Sequence, residues 1–268
     1  RAMGKKSKIQ IKSAADITKM RIAGEAASSV LQATAKFIEP GRTTKEVDEY
    51  AGELIAEAGG TPTFLGYRGF PGNICISMNE EVVHGIGGPR RIQPGDLVKI
   101  DVGVTKGGWI GDNAVTVPVG PITEEAKRLL VATEQSLFEA IDLAREGVRL
   151  ADLCGSVEKF VKQHGFSVVR DLVGHGVGKE LHEEPQVPNY RPMERTPLLK
   201  AGMVLAIEPM VNAGTGSVDW LDDGWTVVSR DRKPSSHFEH TVLVTDGDPE
   251  LLTWRPRTAL PAQLGVSL

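Results

Sequence analysis

Cysteine is nearly absent: Cys75 and Cys154 are the only two in 268 residues. Neither belongs to a C-x-x-C pair, so a disulfide framework is excluded, and reduced thiols in a cytosolic protein are the simplest expectation. No apolar run approaches the ~18 residues of a membrane helix. The first twelve residues are basic and polar and contain no apolar signal-peptide segment. Charge of one sign is lacking too. A formal net charge of −4 gives no long-range pull toward DNA, RNA or anionic membrane. What remains is ordinary for a globular chain, with 40% hydrophobic and 25% charged residues. The length suits one large domain or two small ones with a sizeable core.

Punctuation residues divide the chain. Ser13 with Asp16 reads as a helix start, and Ile17, Met20, Ala27, Leu31, Thr34 and Ile38 recur at helical spacing until Pro40-Gly41. Thr43 and Glu46 form the capping-box pattern of a second helix, which Gly59-Gly60 stops. A Gly/Pro-rich loop follows over 61–72, and strand signals resume at Ile74. Residues 97–105 and 109–119 read as a hairpin around Lys106-Gly107-Gly108. Thr123 opens a third helix that Gly147 closes, and a fourth runs through Leu153, Val157, Phe160 and Val161 to Gly165. Strands are expected over 203–211 and 238–244, and a patternless tail after Leu252.

The halves repeat. Gly41 and Gly59 are eighteen residues apart, as are Gly147 and Gly165. Pro94-Gly95-Asp96-Leu97-Val98-Lys99-Ile100-Asp101 aligns with Ala201-Gly202-Met203-Val204-Leu205-Ala206-Ile207-Glu208, the acid six residues after the glycine in both. Asp112-x-x-Val115-x-Val117 aligns with Glu239-x-x-Val242-x-Val244. Each half thus supplies two carboxylates at equivalent places. Two duplicated α/β halves related by a pseudo-two-fold axis are expected, with a site where they meet.

These carboxylates call for cations. Asp101 lies among Val98, Ile100, Val102 and Val104, and Glu208 in Val-Leu-Ala-Ile-Glu-Pro-Met-Val. A carboxylate buried in such strands is costly without a partner. A two-residue turn at Lys106-Gly107 would set Asp101 directly opposite Asp112, where like charges repel unless a proton or cation intervenes. A solvent-facing acid on an edge strand is the plainer reading of any one of the four taken alone. His175, within Gly174-His175-Gly176-Val177-Gly178, reads as a loop residue whose flanking glycines let the backbone turn and approach closely. That run lacks the Gly-Lys-Ser/Thr ending of a P-loop and the full dinucleotide pattern. Four carboxylates and one imidazole suit Mn²⁺, Fe²⁺, Co²⁺ or Zn²⁺ in a paired site better than a structural zinc.

The chain resembles the type I methionine aminopeptidases from about Ile17 to Leu252. The resemblance is carried by Val83-His84-Gly85-Ile86, Lys99-Ile100-Asp101-Val102-Gly103, Gly111-Asp112-Asn113-Ala114, the His175 run, Leu181-His182-Glu183-Glu184-Pro185-Gln186-Val187, Ile207-Glu208-Pro209-Met210 and Phe238-Glu239-His240-Thr241. It implies an α/β (α+β) fold, the duplicated pita-bread with an antiparallel sheet covered by helices. It also implies a catalytic domain over 13–252 (halves about 13–120 and 121–252), with tails at 1–12 and 253–268. Two divalent ions (Co, Mn, Fe, Zn or Ni) are implied, bridged by Asp112 and Glu239, with Asp101 on one and His175 and Glu208 on the other. A bridging water would be the nucleophile. His182 would contact the scissile carbonyl oxygen, His84 the amide nitrogen, and Glu208 would carry a proton. Phe64, Tyr67, Phe70, Cys75 and Trp225 would form the methionine slot.

The implied activity is removal of the first methionine from nascent polypeptides in the cytoplasm, favouring small second residues, by a monomer that binds neither DNA nor membrane. Lys5, Lys6 and Lys8 could make a weak, salt-sensitive contact with ribosomal RNA. The alternatives are a proline-specific aminopeptidase or prolidase of the same fold, and a catalytically silent binding protein. The former usually carries a large N-terminal domain, and the latter would be expected to lose ligands. A type II methionine aminopeptidase would carry a long insertion in the second half.

Overall fold

In the computed structural model, which describes residues 8–268, both capping boxes form. Ser13 Oγ accepts the Asp16 N–H, and the Asp16 carboxylate accepts the Ser13 N–H. Two donors that a helix start leaves unpaired are thereby satisfied, and α1 runs Ala14–Phe37. Thr43 and Glu46 do the same for α2, Thr44–Glu57. Thr123 caps α3, Glu124–Ile141, and α4 runs Leu150–Gln163. The third helix therefore ends well before Gly147. The Arg145 backbone leaves the helix to bridge Thr245, and the Glu146 N–H donates to Thr245 O at 2.8 Å. Ala144 keeps the apolar period because it is buried, not because it is helical.

The repeat is visible in backbone geometry. Gly41 and Gly147 have φ of 93° and 84°, Gly59 and Gly165 74° and 81°, and Gly95 and Gly202 94° each. Equivalent glycines make equivalent left-handed turns, which other residues enter only with strain.

Antiparallel pairing builds the sheets. Leu97–Lys106 pairs with Trp109–Pro118 on one side and with Cys75–Met78 and Thr61–Pro62 on the other. The turn is Gly107-Gly108, with Lys106 opposite Trp109, so the register differs by two from the one expected. Asp101 faces Ala114 and Asp112 faces Gly103. A shift of two keeps every side chain on its face, so the two aspartates are diagonal neighbours on one surface. In the second half the expected long strands are each interrupted. Val204–Ile207 and Met210–Asn212 flank Glu208-Pro209, and Ser235–His237 and His240–Leu243 flank Phe238-Glu239. A five-stranded sheet runs Glu250–Leu251, His240–Leu243, Val204–Ile207, Gly174–Gly176, Glu183–Val187.

Hydrogen bonds across the seam lock the halves together. Ala114 and Glu239 exchange backbone bonds at 3.3 and 3.0 Å. The Thr241 hydroxyl donates to Asp112 O and accepts the Asp112 N–H. The Lys99 ammonium, fully buried, donates to Asn79 O and Ser235 O at 2.7 and 2.8 Å. Burial pulls that lysine down to about 7, against Glu81 and Glu80, which hold it up. One apolar cluster runs from Val30 and Leu31 of α1 to Val242 and Val244. The stretch beyond Leu252 packs onto this body. Thr253, Arg255 and Ala259 are buried, and Arg255 donates to Ala114 O and Glu239 O. No helix among the described residues is long and apolar enough to cross a membrane. Lys5 and Lys6 lie outside the described residues, and Lys8 is exposed.

Candidate metal centre

The five expected ligand residues converge from five separate segments. Asp101 and Asp112 come from the long hairpin, His175 from the Gly174–Gly176 strand, and Glu208 and Glu239 from the two strand interruptions. His175 Nε2 lies 3.5 Å from Asp112 Oδ2 and 3.3 Å from Glu208 Oε1. Donor atoms of Asp112, His175 and Glu239 lie within 4.8 Å of one another, as do those of Asp101, His237 and Glu239. Asp112, His175, Glu208 and Glu239 are buried, and Asp101 is half-buried with its Oδ1 sealed from solvent.

His175 is in a strand and not in the loop expected. Its glycines serve close approach and not turning. A Cβ on Gly174 would stand 2.4 Å from Ala206 O, and one on Gly176 2.3 Å from Glu184 O. Two neighbouring strands press on this short one from both sides, so only glycine fits beside the histidine. His175 Nδ1 is 2.8 Å from Gly176 O. Donation to that carbonyl leaves the Nε2 lone pair facing the carboxylates, as a metal ligand requires.

Electrostatics and unmet hydrogen bonding fit divalent cations here. Asp101 Oδ1, Asp112 Oδ1, Glu239 Oε2 and His237 Nε2 are buried with no hydrogen-bond partner among the described residues. Burial raises the Asp101 carboxyl well above its usual range, and the charges of Asp112 and Glu208 add to it. Glu239 is raised in the same way, by burial first and then by Asp112, Glu208 and Asp101. Burial opposes a charge on His175, yet Asp112 and Glu208 outweigh it and raise its pKa. Crowded carboxylates with bare oxygens are the signature of groups that share cations.

A cleft of ≈470 Å³ opens onto Asp101, Asp112, His175 and Glu208, and Phe64, Tyr67, Phe70, Cys75 and Trp225 all line it. Phe70 meets Trp225 edge-on, centroids 5.1 Å apart. Val83, Leu172, Leu181 and Met210 complete the apolar wall beside the five residues expected for the slot. Burial pushes the Cys75 thiol well up, with Asp101 and Asp112 adding to the effect.

His84 and His182 also line the cleft. His84 sits at φ 61°, a left-handed conformation, and its neighbour Gly85 packs so closely that a Cβ there would stand 2.0 Å from Ile76 O. Burial brings His84 down to about 4, helped by His237. His182 is pushed the same way by desolvation and then by His175, although water reaches it from the mouth of the cleft. Its Nδ1 is 2.7 Å from the Tyr67 hydroxyl, so Tyr67 is a partner of that histidine as well as a wall of the cleft.

The profile of metallopeptidase family M24 matches residues 18–246. The chain belongs to metallopeptidase family M24. Methionine aminopeptidase 1 of Bacillus subtilis (strain 168) is 48% identical over 234 residues, 87% of this chain and 94% of that one. The crystal structure of methionine aminopeptidase from Thermotoga maritima superposes with a TM-score of 0.90 at 42% identity, over 92% of this chain and 100% of that chain. Prolidase from Pyrococcus furiosus reaches a TM-score of 0.74 at 25% identity and is matched over only 66% of its length. The fold of this M24 chain is thus the duplicated α/β pita-bread.

His237 is the residue at the centre that the sequence reading missed. It lies two positions before Glu239, the spacing that puts two side chains on one face of a strand, and that was the available signal.

Proposed function

We propose that this M24 enzyme is a methionyl aminopeptidase. In this reading it removes the first methionine of newly made polypeptides, with two divalent ions held by Asp101, Asp112, His175, Glu208 and Glu239. The observation that carries the reading is a set of partnerless buried carboxylate oxygens opening onto an apolar, aromatic-walled cleft. When bound, the ions supply Lewis acidity, lower the pKa of water and receive a free α-amine, which confines cutting to a chain terminus.

The residues divide the remaining work. Phe64, Phe70, Cys75 and Trp225 hold a flexible thioether by apolar contact. Desolvation and then His175 lower the His182 pKa, which favours its neutral ring near pH 7. In the tautomer where Tyr67 O–H donates to Nδ1, the ring proton is on Nε2 and can donate to the scissile carbonyl oxygen as charge develops there. His84, also neutral, contacts the scissile amide nitrogen. Glu208 takes the proton of the attacking water and returns it to the leaving amine. A confined leaving side favours small second residues. In the same reading the enzyme works in the cytoplasm as a monomer.

The test is a peptide assay on metal-stripped protein with Mn²⁺ or Co²⁺ restored. Methionine should leave Met-Ala-Ser, leave Met-Leu-Ser far more slowly, and stay on N-acetyl-Met-Ala-Ser. Metal-dependent cleavage confined to proline-containing peptides would transfer the chain to the proline-specific branch. Silence with every metal would leave a binding protein.

A further inference from the structure

Two triads share one glutamate. Asp112 and His175 join Glu239 on one side, and Asp101 and His237 join the same Glu239 on the other. Each triad holds one hairpin aspartate and one imidazole. His237 is only 1% exposed. Its Nε2 stands 3.3 Å from Glu208 Oε2, yet the two do not meet hydrogen-bonding geometry, and the nitrogen has no partner among the described residues. Its backbone is pinned: the N–H donates to Thr116 Oγ1 at 2.9 Å, and the carbonyl accepts from the same hydroxyl at 2.8 Å. A histidine serving only to orient a carboxylate would spend its nitrogen on that hydrogen bond. A buried nitrogen aimed among carboxylates and left unpaired is what a ligand looks like.

We propose that His237 is a sixth protein donor, binding the ion on the Asp101 side through Nε2. The inference rests on the two-ion reading above. It makes the centre four carboxylates and two imidazoles, one imidazole for each ion. Without His237 the Asp101 side is an all-oxygen site, which suits Mn²⁺. With it, the preference moves toward Co²⁺, Ni²⁺ and Zn²⁺, which gain more from imidazole.

Crystals of the wild-type protein soaked in Zn²⁺ and in Co²⁺, with anomalous maps, test this directly. The expected result is two ions, one with His237 Nε2 at about 2.0–2.1 Å. Calorimetric titration of His237→Ala should show the second ion bound at least ~10-fold more weakly, with its Co²⁺-over-Mn²⁺ preference reduced. Two bound ions with His237 beyond bonding distance of both would overturn the proposal and leave the two-ion reading standing. No bound ion in the wild type would overturn both. Should the alanine variant fail to fold, the wild-type distance decides the matter, and His237→Gln, which keeps the volume, repeats the titration.

Discussion

The two halves of this molecule share a plan and differ in continuity. In the first, Asp101 and Asp112 lie within unbroken ten-residue strands. In the second, the equivalent Glu208 and Glu239 fall where the strands break. Pro209, with no N–H to donate, explains one break. Each break lets a single stretch of chain serve two sheets. Val204–Ile207 joins the five-stranded sheet, while Met210–Asn212 pairs with Ser235–His237 and Ser167–Val168. The carboxylates are therefore symmetric between halves and the imidazoles are not. His175, His182 and His237 come from the second half, and His84 alone from the first. Duplication can account for the acids, whereas the asymmetry has to be built by the second half's own folding.

The largest test of that symmetry is at Asp112 and Glu239. Asp112→Ala and Glu239→Ala should each lower kcat/KM by more than the ~10–100-fold that loss of an outer-shell partner costs, with fewer ions bound in metal-replete buffer. Near-wild-type turnover from either variant would break the equivalence and the two-ion reading with it.

A smaller effect separates local repetition from tertiary surroundings. Gly95 and Gly202 share a φ of 94°. A Cβ at Gly95 would come no nearer than 3.9 Å to Pro121 O, but at Gly202 it would meet Ile11 Cγ2 at 2.8 Å and Lys12 O at 3.0 Å. Gly95→Ala should cost about 1 kcal/mol from backbone strain alone. Gly202→Ala should cost a further ~1–3 kcal/mol from overpacking. Equal urea midpoints for the two variants would show that the surroundings of the repeat do not matter.

An effect of similar size, confined to acid pH, sharpens the contrast between the lone first-half histidine and the rest. The folded pKa of His84, about 4, lies below the ~6.5 of an unfolded histidine. Its contribution to stability is complete above pH 6.5 and is lost as pH falls from there through 4, since the unfolded chain binds the proton first. Asp101 and Glu239, whose pKa values are raised, act in the opposite sense in metal-free protein. The difference between wild type and His84→Asn therefore isolates His84, and asparagine tolerates the left-handed backbone there. In EDTA, the wild type should lose on the order of 1–3 kcal/mol relative to the variant between pH 6.5 and 4. Parallel stability curves would mean that burial does not hold His84 neutral.

Much of this was legible in the chain itself. The caps at Ser13, Thr43 and Thr123 were readable because a side chain three residues from its partner needs nothing else to close the bond. The repeat could be seen because equal spacing around glycines and acids survives in a linear string. The hairpin's parity was readable, and its turn was not, because Lys106-Gly107 and Gly107-Gly108 are both acceptable turn pairs until the sheet selects one. The His175 run looked like a loop because strand glycines that admit close neighbours and loop glycines that turn are spelled the same way.

Local chemistry in the sequence alone determined where helices begin, where the backbone turns left-handed, and which acids repeat. Tertiary structure alone decided that Tyr67 holds His182 across 115 residues, that Lys99 joins carbonyls of both halves, and that His237 stands beside Asp101 and Glu239. The physical reason is distance along the chain. A cap or a turn is settled by a few neighbouring dihedrals, whereas a site exists only after segments far apart in sequence have been packed to within a hydrogen bond of one another.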